Sequence, residues 1–139
     1  MLKIKPVYLA FVLGSLALAG CSGASSGEAS VTGSATYLQR IALPPSAVMT
    51  VRIEDVSRAD APAVPIGEQV IETKGAQVPI PFAVAYDPSS IQENHSYSLR
   101  VRIEDGAGKL LFINDTSVPV ITQGNPTQGI EVIVVPAGG

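Results

Sequence analysis

The feature that most constrains this chain is a two-residue alternation of apolar and polar side chains. Met49, Val51 and Ile53 alternate with Thr50, Arg52 and Glu54. Tyr97, Leu99, Val101 and Ile103 alternate with Ser98, Arg100, Arg102 and Glu104. Successive side chains of an extended strand point to opposite faces, so each run makes one apolar and one polar face. Beyond residue 30 no segment carries the spacing of an amphipathic helix. Further strands are expected near 31–41, 66–73, 110–114, 117–122 and 129–135. Turn-forming residues separate them, at Pro44-Pro45, Asp60 to Pro65, Asp87-Pro88, Asp105 to Gly108 and Gly124-Asn125-Pro126. Short strands with one apolar face need a second sheet to cover that face. The predicted fold is all-β, an antiparallel β-sandwich of about seven to eight strands with immunoglobulin-like or transthyretin-like architecture.

The run Val78 to Tyr86 places Val78, Ile80, Phe82, Val84 and Tyr86 on one face, with Pro79 and Pro81 on the other. Residues two apart in a strand turn their N–H groups to the same side. The prolines therefore delete donors along one lateral edge only, which predicts an edge strand. Val-Arg-Ile-Glu-Asp occurs twice, at 51–55 and 101–105, with different residues following. Two half-buried strands converging on one pattern explain this more simply than a duplication does.

The N-terminus has a different logic. Lys3 and Lys5 precede an apolar run from Val7 to Leu18, too short for a comfortable membrane span, and Ala19-Gly20-Cys21 follows. Leu18 to Cys21 resembles the lipobox of bacterial lipoproteins. Small residues at 19 and 20 let the backbone enter a protease site, and the Cys21 thiol is the nucleophile that takes the lipid. Cleavage is expected between Gly20 and Cys21, with residues 1–20 as signal peptide. Cys21 is the only cysteine, so no disulfide forms within the chain. Each buried acyl CH₂ contributes about 0.8 kcal/mol, so two or three chains anchor the protein durably. Among lipoproteins of this kind Asp after the cysteine marks inner-membrane retention. Ser22 implies the outer membrane, with the domain facing the periplasm.

Removing 20 of 139 residues leaves 119, enough for one domain. The nine basic residues fall to seven when Lys3 and Lys5 leave, against twelve acidic ones. An acidic, exported domain is a poor fit to nucleic acid. Residues 21–30 are rich in Gly, Ser and Ala and read as a tether spanning roughly 15–18 Å. Residues 31–139 form the folded domain, expected to be a monomer.

Candidate chemistry is sparse. His95 is the only histidine and lies in a polar stretch between strands, where a solvated loop residue is the plain reading. Catalysis by histidine needs a positioned nucleophile and an orienting acid, and one histidine cannot build a multi-His zinc site. Asp55 to Asp60 gathers oxygen ligands, but Arg58 interrupts it and the glycine of a calcium loop is missing. Asp and Ser bonding to nearby backbone is the reading adopted. No nucleotide fingerprint is present. The sequence identifies no catalytic residue, metal site or cofactor. Asn94 and Asn114 open Asn-x-Ser/Thr triplets of little weight in such a lipoprotein. A sugar platform would need exposed aromatic rings. The chain has no Trp, and of the aromatic residues beyond Cys21, Phe82, Tyr86 and Tyr97 fall on core phases, leaving Tyr37 and Phe112 unassigned.

Two C-terminal segments break the one-sided pattern. Leu110 to Ile113 and Ile130 to Val135 are apolar on both faces, apart from Glu131. One face of each must line the core. The other, drawn from Leu111, Ile113, Ile133 and Val135, is either covered by loops or forms a partner-binding patch.

Several stretches resemble YbaY-type lipoproteins. These are Val31-Thr32-Gly33 with Tyr37 and Arg40 to Pro45, Asp55 to Pro62, Pro79 to Phe82 with Tyr86-Asp87, Tyr97 to Ile103, and Leu111 to Thr116. They run in family order through nearly the whole mature domain. The broader family includes YscW-like lipoproteins, pilotins that help a secretion secretin reach and assemble in the outer membrane. The resemblance implies a β-sandwich, no catalytic motif and Cys21 as the transferable functional residue. Two readings follow: a non-enzymatic binding or chaperone module for an envelope client such as a secretin, or a structural or stress-related envelope lipoprotein without a dedicated client, of a kind that could associate with polysaccharide.

Overall fold

The computed structural model describes residues 29–138; the expected signal peptide, the expected cleavage site, Cys21 and the expected tether as far as residue 28 lie outside them. The chain forms β1 (Ala29–Thr36), β2 (Val48–Asp55), β3 (Val64–Glu72), β4 (Ile80–Tyr86), β5 (Tyr97–Glu104), β6 (Leu110–Ile113), β7 (Pro119–Val120), β8 (Ile130–Ile133) and β9 (Val135–Pro136). A 3₁₀ turn, Pro88–Ser90, follows β4. Among the described residues there is no α-helix. Strand β1 begins inside the segment read as tether, because Ala29 and Ser30 pair with Tyr86 and Ala85.

Two sheets face each other. One has the order β4-β1-β8, the other β3-β2-β5-β6-β9, with β7 also on β5. Alternation sets the interface: Met49, Val51 and Ile53 of β2 and Leu99, Val101 and Ile103 of β5 are buried, and so are Val31, Phe82, Val84 and Val132 opposite them. The repeated pentapeptides lie on adjacent antiparallel strands, with Val51 directly opposite Val101. Arg52 and Arg100 also oppose each other. Each finds an acid elsewhere, Arg52 with Glu68 on β3 and Arg100 with Glu54 on β2.

One pairing departs from the antiparallel expectation. Strand β8 runs parallel to β1, with Gly33 opposite Ile130 and Thr36 opposite Ile133. Gly33 makes this approach possible, since a Cβ there would lie 2.0 Å from the Ile130 carbonyl oxygen. The run expected at 129–135 is also two strands. The chain crosses from one sheet to the other at Val134, whose N–H donates to the Thr36 carbonyl at 2.8 Å.

Strand β4 is an edge, as predicted, and it is sealed; Pro79 falls just before the strand, so Pro81 alone removes a donor within it. The Ala83 N–H, on the same lateral side as Pro81, is capped by the Gln69 Oε1 of β3 at 2.8 Å. Beside it a Cβ on Gly67 would lie 2.5 Å from the Ala85 carbonyl oxygen. A bulge between Ile53 and Glu54 in the β2–β3 register precedes this close approach. Strand β7 is shorter than the expected 117–122. Ile121 takes φ 74° and the Thr122 N–H turns back to the Val120 carbonyl at 2.9 Å, a tight reversal that ends the ladder.

Candidate functional site

The expected strand at 31–41 stops at Thr36, and residues 37–47 run irregularly across one end of the sandwich. Tyr37 turns inward and is buried. Its ring stacks on Phe112, with centroids 4.2 Å apart and planes tilted by 3°. Its hydroxyl donates to the Ile41 carbonyl at 2.6 Å, and burial pushes its pKa upward. Both unassigned aromatic rings are therefore used inside the fold, and neither forms a sugar platform.

The rest of the segment is held by side chains from the β3–β4 connection. Gln77 accepts from the Leu43 N–H at 2.7 Å and donates to the Leu43 carbonyl at 3.2 Å, replacing a strand partner. The Thr73 hydroxyl and N–H both bond the Ala47 carbonyl, at 2.8 and 3.0 Å. Sequence gave no signal for Gln77, because its role depends on a residue 34 positions away.

Between this segment, the 105–107 turn and β6 opens an apolar groove of about 500 Å³, lined by Ile41, Leu43, Pro44, Leu111, Phe112 and Pro136. Ile41 is 59% exposed at its rim. Asp105 supplies the charge on the lining, but its Oδ1 is occupied by the N–H groups of Ala107 and Lys109, both at 2.9 Å. The cavity has the size and apolar character of a ligand or peptide site.

The four residues singled out from sequence are distributed as follows. Leu111 is half-buried against the core and lines the groove. Ile113 pairs directly with Val135 across β6 and β9, and both are half-buried. Ile133 is 42% exposed, and with Val135 it lines a second depression. Phe112 of β6, Val132 of β8 and Val134 between β8 and β9 are buried. Leu111 thus lines one concavity, and Ile133 with Val135 another.

His95 differs from the solvated loop residue expected. Its Nδ1–H donates to Asp55 Oδ2 at 2.6 Å, and its side chain is 30% exposed. Asp55 Oδ1 accepts the Ser57 N–H at 3.0 Å and the Ser57 hydroxyl at 2.6 Å, the local bonding expected for this loop. The Ser57 oxygen in turn accepts the Ser96 N–H at 2.9 Å. Partial burial alone would raise the Asp55 pKa. The Ser57 hydroxyl, His95 and the Ser57 N–H outweigh it and hold the carboxyl below its ordinary value. Serine, acid and histidine meet here, yet the serine proton goes to the acid. The pair a hydrolase needs, hydroxyl to imidazole, is not made. Among the described residues no three His, Cys, Asp or Glu converge to hold a metal.

Asn114, read only as a glycosylation triplet, is a buried structural residue. Where β6 ends and β7 has not begun, its Oδ1 accepts the Val101 N–H at 2.8 Å and its Nδ2 donates to the Leu99 carbonyl at 3.0 Å.

Residues 26–132 match the profile of the type III secretion system lipoprotein chaperones (YscW). The chain belongs to the YscW family. Within this setting it is 37% identical over 108 residues to the uncharacterized lipoprotein YbaY of Escherichia coli K12, a match covering 78% of this chain and 56% of YbaY. The chain thus spans little more than half the length of that relative. An alternative pilotin from the type II secretion system of Vibrio cholerae has the same fold, with 47% identity and a TM-score of 0.72. That match covers 78% of this chain and 97% of the pilotin structure. The YscW-family match takes in β1 to the middle of β8, including most of the groove lining.

Proposed function

We propose that this protein is an outer-membrane lipoprotein, anchored through Cys21 and facing the periplasm. It acts without catalysis, holding an apolar segment of an envelope client of the secretin class during assembly. One observation carries the reading: the apolar groove opens at the end of the sandwich opposite Ala29. Strand β1 runs from Ala29 to Thr36, a rise of roughly 23 Å at about 3.3 Å per residue. A lipid on Cys21 would set the Ala29 end toward the bilayer and the groove away from it, where a client is reachable. The pilotin likeness and the family of secretion chaperones support a client of this kind.

Photo-crosslinking tests the reading. A photoreactive residue is placed at Ile41, or at Val70 as an exposed control on β3, in cells making a secretin subunit. Adducts with that subunit are expected from position 41 and not from 70. Equal or absent labelling from the two positions would overturn the groove as the client site. The anchor is tested by labelling with a fatty-acid analogue, which Cys21→Ser should abolish; undiminished label would refute lipidation there.

A further inference from the structure

The two lateral sides of the sandwich are built differently. On the β3/β4 side, Pro81, the Gln69 cap and the Gly67–Ala85 approach close the gap between sheets. On the other side β8 ends its sheet. The Val134 N–H turns to β1, and alternate residues of a strand share a lateral direction, so Val132 does the same. Glu131 and Ile133 therefore turn their N–H and C=O groups outward. Among the described residues these groups meet no protein partner.

A depression of about 400 Å³ lies against this edge, lined by Ile133, Val135, Val118 and Pro119, with Asp115 and Glu131 on its rim. Its charged lining residues are both acidic. An unpaired strand edge beside apolar surface is what an extended chain recognises by adding a strand. A bound helix or small molecule would leave the outward amides unsatisfied.

We propose that the outer edge of β8 is a strand-acceptor site for an extended segment of another polypeptide, with apolar residues facing Ile133 and Val118 and a basic residue facing Glu131. The site is separate from the groove at Ile41, and either can fail without the other.

The test uses the mature lipidated chain in detergent micelles and short synthetic peptides alternating valine and threonine, with a central Lys or Glu. Binding is followed by amide chemical shifts and hydrogen exchange. The Lys peptide should protect the Glu131 and Ile133 amides and bind about tenfold more tightly than the Glu peptide at low salt. N-methylation of alternate peptide amides should abolish binding in one of the two phases only, because one lateral side of the peptide faces β8. Ile133→Pro removes an outward donor that bonds nothing within the fold, and should abolish binding with the thermal midpoint nearly unchanged. Should that variant unfold, Glu131→Lys provides the second measure by reversing the charge preference. Absence of protection at millimolar peptide, or binding indifferent to N-methylation in both phases, overturns the proposal. Perturbation confined to Ile41 and Leu111 would overturn it while leaving the groove reading intact.

Discussion

The rings of Tyr37 and Phe112 lie parallel at 4.2 Å, and this stack ties the irregular 37–47 segment to the second sheet. Phe112→Ala empties a buried site and should cost about 3–5 kcal/mol. Tyr37→Phe keeps the stack and removes only the hydroxyl bond to Ile41, which should cost about 1 kcal/mol. Urea unfolding measures both. Amide exchange adds a local readout: Tyr37→Phe should speed exchange at Leu43 while β2 and β5 amides keep their protection. Equal losses for the two variants would show that the stack contributes little.

The alternation in β2 and β5 made the sheets and most of the core legible, because burial on one face leaves its mark on every second residue. The edge position of β4 was legible for the same local reason, since Pro81 removes its own donor. Other features depend on contacts remote in sequence. The parallel docking of β8 rests on Gly33 meeting Ile130, the groove wall rests on Gln77 meeting Leu43, and the His95 ring finds its acid in Asp55, 40 residues away. Two-sided apolarity marked Leu111, Ile113, Ile133 and Val135 as unusual. It could not reveal that the chain crosses between sheets at Val134, or that Leu111 lines one concavity while Ile133 and Val135 line another.

Asn114 stands in for a missing strand residue, so its removal should be felt in the ladder. Asn114→Ala leaves the Val101 N–H and the Leu99 carbonyl without these partners, and should cost about 1–3 kcal/mol. Denaturant unfolding gives the total, and faster exchange at Val101 locates it. An effect below about 0.5 kcal/mol would mean that water replaces the side chain freely.

The Asp55 cluster predicts a pH dependence with a definite sign. Its folded-state pKa is lowered, so its stabilising contribution is complete above the unfolded value of about 3.9. That contribution is lost as pH falls through the folded value. Asp55→Asn should therefore be less stable than the parent at neutral pH, and the difference should shrink as acid is added. Paired thermal melts from pH 7 down to pH 2 check this; a difference that stays constant across the range would exclude the linkage.

The parallel pairing of β1 with β8 leaves no room for a side chain at position 33. In Gly33→Ala the new methyl would meet the Ile130 carbonyl at 2.0 Å, against backbone that cannot swing aside as a side chain tip can. Strand β8 must shift, and it carries Val132 into the core and leads into Val134. Overpacking of this kind typically costs about 1–3 kcal/mol. The loss should appear first as fast amide exchange at Val132 and Val134, with β2 and β5 still protected at the same denaturant concentration. Uniform loss of protection across both sheets would show instead that β8 docking is inseparable from global folding. Unchanged stability would show that β8 sits farther from β1 than this packing requires.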